Sequence, residues 1–201
     1  MHNRLWIIGL ALLGIFAAPA LANFQVSGTF LYEDLPIDIN GFQSPHPSRP
    51  VRLVDVKVID NTTQATLATG STDLNGSFSF NVTDSQVRNV AILAVAQSSS
   101  IPNLDHYVTQ WGSSQVHAYQ GILVPSHNPS ADIDMGTVTM RYRAGAEGFN
   151  LYDAALDAAD FIASMEGGAR PTGCRIRFTL DVSPDQAYYS GGVVYMGGNY
   201  G

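Results

Sequence analysis

The stretch Leu53-Val54-Asp55-Val56-Lys57-Val58-Ile59-Asp60 constrains the fold more than any other part of this chain. Val54, Val56 and Val58 alternate with Asp55 and Lys57, so an extended backbone puts the valines on one face and the polar residues on the other. A helix cannot use this pattern, because its apolar stripe recurs every three to four residues. The expectation is a half-buried strand with Asp55 and Lys57 in water. Similar runs rich in Val, Ile, Phe and Thr recur over 24–32, 52–60, 65–72, 77–82, 90–97 and 136–141, with weaker ones near Tyr107 and Ile122. Gly, Pro, Asn and Ser clusters divide them. Short strands at such spacing predict a mainly β chain built on an antiparallel β-sandwich.

The sharpest turn signal is Thr72-Asp73-Leu74-Asn75-Gly76-Ser77-Phe78-Ser79-Phe80. Asn-Gly readily takes positive φ at consecutive positions, which predicts a tight hairpin between a strand ending near Ser71 and one starting at Ser77. Phe78 and Phe80 then share one face and enter the core. Asp73-x-Asn75-Gly76 also has the opening of a calcium loop, but the closing glutamate is missing and strands flank it, so no cation is assigned.

From Pro50 to Val82, "PVRLVDVKVIDNTTQATLATGSTDLNGSFSFNV" resembles the carboxypeptidase regulatory-like, or transthyretin-like, β-sandwich. In that family a strand of alternating valines leads through a turn and a second strand into a Thr-Asp-x-x-Gly-x-Phe hairpin, here Thr72, Asp73, Gly76 and Phe78. The resemblance is loose over residues 23–142. It implies a fold and a non-catalytic accessory role, since its motif consists of a turn and core aromatics.

Ahead of the strands, Met1 to Arg4 precede an apolar run from Leu5 to Ala18, and Ala20-Leu21-Ala22 supplies small side chains. This predicts a secretory signal peptide over 1–22 with cleavage after Ala22, the run being shorter than the ~20 apolar residues of a membrane span. The chain is therefore expected to be secreted, extracellular or periplasmic, and not membrane-spanning once cleaved. Its formal charge is -7 with a single lysine, Lys57, which argues against nucleic acid as a partner. The single cysteine, Cys174, can form no intrachain disulfide, so stability rests on a core that a 45% hydrophobic composition can supply. The sequence around Cys174 offers no histidine partner for catalysis.

Two long loops interrupt the sandwich pattern, 35–50 and 98–121. The second carries His106, Tyr107, Trp111, His117 and Tyr119. His106, Tyr107, Trp111 and His117 are the candidate ligand-binding residues, and an aromatic groove of this kind fits a peptide or a glycan. The alternative is that these side chains cover one end of the sandwich.

From Arg143 the pattern changes. In "GFNLYDAALDAADFIASMEGG", Phe149, Tyr152, Leu156, Ala159 and Ala163 recur at helical spacing, predicting an amphipathic helix capped by Asn150 and ended by Gly167-Gly168. Asp153, Asp157 and Asp160 form an acidic stripe expected to face solvent. A strand over 174–182 and another in "GGVVYMGG" complete a small α+β segment over 143–201. Phe149, Asn150, Tyr152, Asp153 and Pro171, followed by Tyr188, Tyr189 and Gly191 to Gly198, are similar to the lead-in of secreted bacterial zinc metallopeptidases, where the same elements precede a histidine-glutamate-x-x-histidine helix. That motif is absent here, so no zinc ligand carries over and the segment reads as the start of a truncated peptidase-like domain.

No catalytic or metal-binding residue and no cofactor is assigned. His46, His106, His117 and His127 lack ligand spacing, and His127 with Asp132 and Asp134 is the nearest approach to a cluster. Three readings follow: a secreted non-catalytic sandwich attached to a truncated metallopeptidase-like region, a complete extracellular binding or adhesion module, and, last, a hydrolase with an unrecognised site. Residues 23–142 are expected to fold alone.

Overall fold

Two-residue periodicity becomes β1 (Asn23–Glu33), β2 (Ile37–Asp38), β3 (Gly41–Phe42), β4 (Ser48–Pro50), β5 (Asp55–Asp60), β6 (Thr66–Ser71) and β7 (Ser77–Thr83). The chain continues through β8 (Arg88–Val95), β9 (Tyr107–Gln110), β10 (Ala118–His127) and β11 (Ile133–Met140) into one helix, α1 (Ala146–Glu166), and then β12 (Arg175–Thr179), β13 (Ala187–Ser190) and β14 (Val193–Gly197). The computed structural model describes residues 23–34, 37–38, 41–42, 44–99, 105–110, 114–168, 173–179, 187–190 and 192–197. The leader expected over 1–22 lies outside them. The fold is mainly β and sandwich-like, with a small helical segment.

One sheet centres on β1, which pairs in parallel with β11 along one edge. Its other edge is shared by two antiparallel partners, β7 against Asn23 to Thr29 and β4 against Leu31 to Glu33. The second sheet is antiparallel in the order β10-β8-β5-β6. Phe24, Val26, Phe30, Tyr32 and Phe78 from the first sheet and Val56, Val58, Val90, Ile92 and Ala94 from the second belong to one buried cluster. Phe30 stacks on Phe78 with ring centroids 5.5 Å apart, and a side chain at Gly121 of β10 would collide with Phe30 and Met135. The sheets therefore meet at close range, and their dry interface is the main source of hydrophobic stabilisation.

Two expectations about this half are corrected. Asp55 does not face water: it is fully buried and accepts hydrogen bonds from Gln97 Nε2 at 2.7 Å and from the Ser99 hydroxyl. β5 is an interior strand, and the chain after β8 folds over its polar face. The Asn75-Gly76 turn is not a hairpin within one sheet either, because β6 pairs with β5 while β7 pairs with β1. The turn carries the chain from one sheet to the other. Gly76 has φ 76°, and a Cβ there would strike the Phe30 carbonyl oxygen. Asp73 Oδ1 accepts the backbone N–H groups of Asn75 at 2.7 Å and Ser77 at 2.9 Å, which fixes the corner.

The helix starts one turn earlier than expected. Gly145, in the left-handed region at φ 114°, is its N-cap, and Glu147 accepts the backbone N–H groups of Arg143 and Gly145. Asn150 lies inside α1 and donates to Asp34 Oδ1 at 2.7 Å instead of capping it. Gly167 ends the helix as expected, its N–H reaching the Ala163 carbonyl. Phe149, Tyr152, Leu156 and Ala159 are buried, and Phe149, Tyr152 and Leu156 join the same cluster as the sandwich residues. A third sheet, in the order β13-β14-β12-β9, has β12 parallel to both β14 and β9. β9 belongs by sequence to the sandwich half, so the late strands add onto an element laid down before the helix.

Candidate functional site

A buried polar cluster lies where α1 meets the end of β1. Tyr32 Oη donates to Asp153 Oδ2 at 2.7 Å, and Arg52 Nε donates to Asp153 Oδ1 at 2.6 Å. Arg52 Nη2 reaches Asp157 Oδ1 at 2.6 Å. Tyr152, the preceding helix residue, donates its Oη to the Leu53 carbonyl at 2.6 Å. Asp153 is only 5% exposed, which corrects the expectation that the whole acidic stripe faces solvent. Burial raises the Asp153 carboxyl above its ordinary range, while the bonds from Tyr32 and Arg52 pull the other way. Burial also raises the Tyr32 phenol, with Asp153 adding to the effect. Desolvation works against the charge on Arg52, but its bonds to Asp157 and Asp153 outweigh it and hold the guanidinium more firmly protonated. A cluster of this kind orients and anchors; its carboxylate is already engaged by two donors.

The candidate ligand residues fall into different places. His106 is 2% exposed, and its Nδ1 accepts the backbone N–H of Cys174 at 2.9 Å, which places the proton of the neutral ring on Nε2. His106 thus ties β9 to the start of β12. His117 is 8% exposed, and its Nε2 donates to the Gly145 carbonyl at 2.9 Å. Burial lowers its pKa and keeps the ring neutral. The first turn of α1 rests on this imidazole: Phe149 meets it edge-on at 5.3 Å, and any side chain at Gly148 would collide with it. Tyr107 is half-buried beneath the Arg175 guanidinium, 5.4 Å from ring centroid to Cζ. Trp111 lies outside the described residues. The structure therefore brings His106 and Tyr107 to β9 and sends His117 to the helix start.

Between α1 and the inner face of the third sheet is an open cavity of about 230 Å³, lined by His106, Ala155, Ala159, Ile162, Cys174 and Val194 among others. The histidine that the sequence near Cys174 lacks arrives from β9, yet the bond it makes is to the main-chain amide of Cys174. Burial raises the thiol pKa, so the sulfur stays protonated at neutral pH. Of the other histidines, His127 packs against Phe24 with centroids 4.5 Å apart, while Asp132 and Asp134 accept the backbone N–H groups of Gln25 and Gly136. Among the described residues no group of three or more His, Cys, Asp or Glu is placed to share a metal ion. No helix among them is long and apolar enough to cross a membrane.

Sequence reasoning missed the Tyr32–Asp153–Arg52 cluster. One signal was available: Asp153 stands directly beside Tyr152 and three residues before Leu156, at the margin of the buried stripe.

No family model and no curated protein matches this chain. Among solved structures it is similar to a 9R-lipoxygenase from Cyanothece PCC8801, at 16% identity and a TM-score of 0.32 over 59% of this chain. The match spans 16% of the lipoxygenase. It is also similar to the major plantain pollen allergen Pla l 1, at 15% identity and a TM-score of 0.31 over 62% of this chain and 98% of the allergen. Likeness at this level carries no functional assignment.

Proposed function

We propose that this chain is a secreted accessory module in which a regulatory-like β-sandwich holds a metallopeptidase-like α+β segment and performs no chemistry of its own. In this reading residues 1–22 direct export and are removed, residues 23–142 form the sandwich, and residues 143–201 are the attached segment. The observation that carries the reading is the clamp of Asp153 on Tyr32 and Arg52. The helix directs the buried Asp153 at the sandwich, so this group fixes one region on the other instead of facing a substrate. His106 and His117 act in the same sense, each bonded to the backbone of a neighbouring element.

The test is hydrolysis of a mixed peptide library by the purified protein, with added zinc and with chelator. No turnover is expected under either condition, and chelator-sensitive cleavage would overturn the reading. Export is checked separately by sequencing the mature protein, whose first residue is expected to be Asn23. The attachment is tested in the gene: a histidine-glutamate-x-x-histidine sequence encoded downstream in frame supports it, and a stop codon directly after Gly201 removes it.

A further inference from the structure

Among the described residues three arginines face an aspartate, and Arg143 lies over the ring of its neighbour Tyr142. Arg49 meets Asp34, Arg52 meets Asp153 and Asp157, and Arg88 meets Asp60 and Asp84. Arg175 and Arg177 are different, since neither forms an ion pair among the described residues and both are exposed. Each lies over a tyrosine instead, Arg175 at 5.4 Å from the Tyr107 centroid and Arg177 at 5.9 Å from that of Tyr195.

Strand register explains the arrangement. Ile176 pairs with Val108 and Val194, and these three alternate residues turn inward, Ile176 and Val108 into the core and Val194 against it. Arg175 pairs with Tyr107 on one side, and Arg177 pairs with Tyr195 on the other, so the opposite parity sends all four outward. The result is a diagonal band, tyrosine-arginine-arginine-tyrosine, across three strands. With a ring beneath it, each guanidinium is held in place while its in-plane N–H groups stay available for a carboxylate. The two arginines are two residues apart on one strand, about 6.6 Å, which is also the spacing of alternate side chains on an extended peptide.

We propose that this outward face, built on Tyr107, Arg175, Arg177 and Tyr195, docks an extended acidic peptide segment with carboxylates at alternate positions. Charge complementarity carries the choice of partner: two cations with no ion pair among the described residues stand together on a chain of formal charge -7, whose acidic surface elsewhere repels such a segment and so directs it here. The same net charge disfavours a long polyanion, which would extend beyond the band onto acidic surface. This surface does not depend on the metallopeptidase attachment.

The experiment is fluorescence anisotropy of the intact protein with the capped peptide Glu-Thr-Glu-Thr-Glu carrying a neutral dye. Saturable binding is expected, weakening steeply as salt rises from about 0.02 M to about 0.5 M. Arg175→Gln and Arg177→Gln should each weaken it by about threefold to fivefold, and the double variant should remove it. Both side chains are exposed, so the variants are expected to fold, which circular dichroism checks. Arg175→Lys keeps the charge but loses the planar fork, and should fall between wild type and Arg175→Gln. The proposal is overturned by absent binding, by equal binding of the glutamine counterpart, by an unaffected double variant, or by tighter binding of a short oligothymidylate.

Discussion

The sandwich and the helix-bearing segment are held together by different physics, although their apolar residues share one cluster. Between the two main sheets the contact is dry, built from Phe24, Val26, Phe30, Val56, Val58 and Ile92 with no polar atom required. Between α1 and the sandwich the contact is half polar, with Phe149, Tyr152 and Leu156 buried beside Asp153, Tyr32 and Arg52. Apolar burial is non-directional and tolerates small shifts, whereas a carboxylate held by two donors accepts only one position. The dry interface therefore supplies most of the stability, and the polar one sets where the helix sits.

The largest expected effect tests the dry interface. Phe30→Ala removes a fully buried ring stacked on Phe78 and should cost about 3–5 kcal/mol, read as a lower urea midpoint at unchanged slope. Next is Asp153→Ala, which strands the Tyr32 hydroxyl and leaves Arg52 with only its bond to Asp157. Because Arg52 keeps some solvent contact, the cost should be about 2–4 kcal/mol, at or below that of breaking a fully buried pair. Hydrogen exchange should rise first in residues 146–166 while β1, β5 and β8 stay protected. Uniform loss of protection would erase the distinction between the regions. Gly148→Ala is expected to cost about 1–3 kcal/mol by pushing the first helical turn off His117, with the same local exchange signature.

Acid should separate the buried groups by sign. Burial depresses His117 and His127 below the ordinary value of 6.5, so the stability they contribute is present above pH 6.5 and is lost as pH falls through their folded values. Asp60, held below the usual carboxylate range chiefly by the Thr62 N–H, with Thr63 and Arg88 assisting, behaves in the same direction at lower pH. Asp153 is raised, so ionising it opposes folding, and acid relieves that penalty as pH falls through its folded value. Urea midpoints against pH should flatten below 6.5 in His117→Gln, whereas Asp153→Asn should steepen the acid loss by removing the opposing contribution. The smallest effect belongs to Asp157→Ala. Its side chain is 59% exposed, so the loss should stay below about 1 kcal/mol.

Most of the sandwich was legible because strand periodicity is local. The patterned runs near Phe24, Val56, Phe78 and Val90 became β1, β5, β7 and β8 with ends shifted by a few residues. What failed was pairing. Asn75-Gly76 reads the same whether it closes a hairpin or turns a corner between sheets, and only the partner of β7 decides. Asn150 has the residue type of a helix cap, yet Gly145 and Glu147 perform that task one turn earlier, so the asparagine is free to reach Asp34.

The candidate site divides the same way. Residue chemistry singled out His106, Tyr107 and His117 as ligand-binding candidates on one loop, but the bonds of the two histidines are made 28 to 68 residues away in sequence, to Gly145 for His117 and Cys174 for His106. By itself the sequence determined which of the described runs are extended, that a helix follows Arg143 and which positions carry the apolar pattern, since each depends on neighbours a few positions apart. Tertiary structure alone decided that Asp153 is an anchor while Asp157, four residues on, stays at the surface. Both sit on one helix with the same charge, and only the approach of Tyr32 and Arg52, 121 and 101 residues away, removes the first from water.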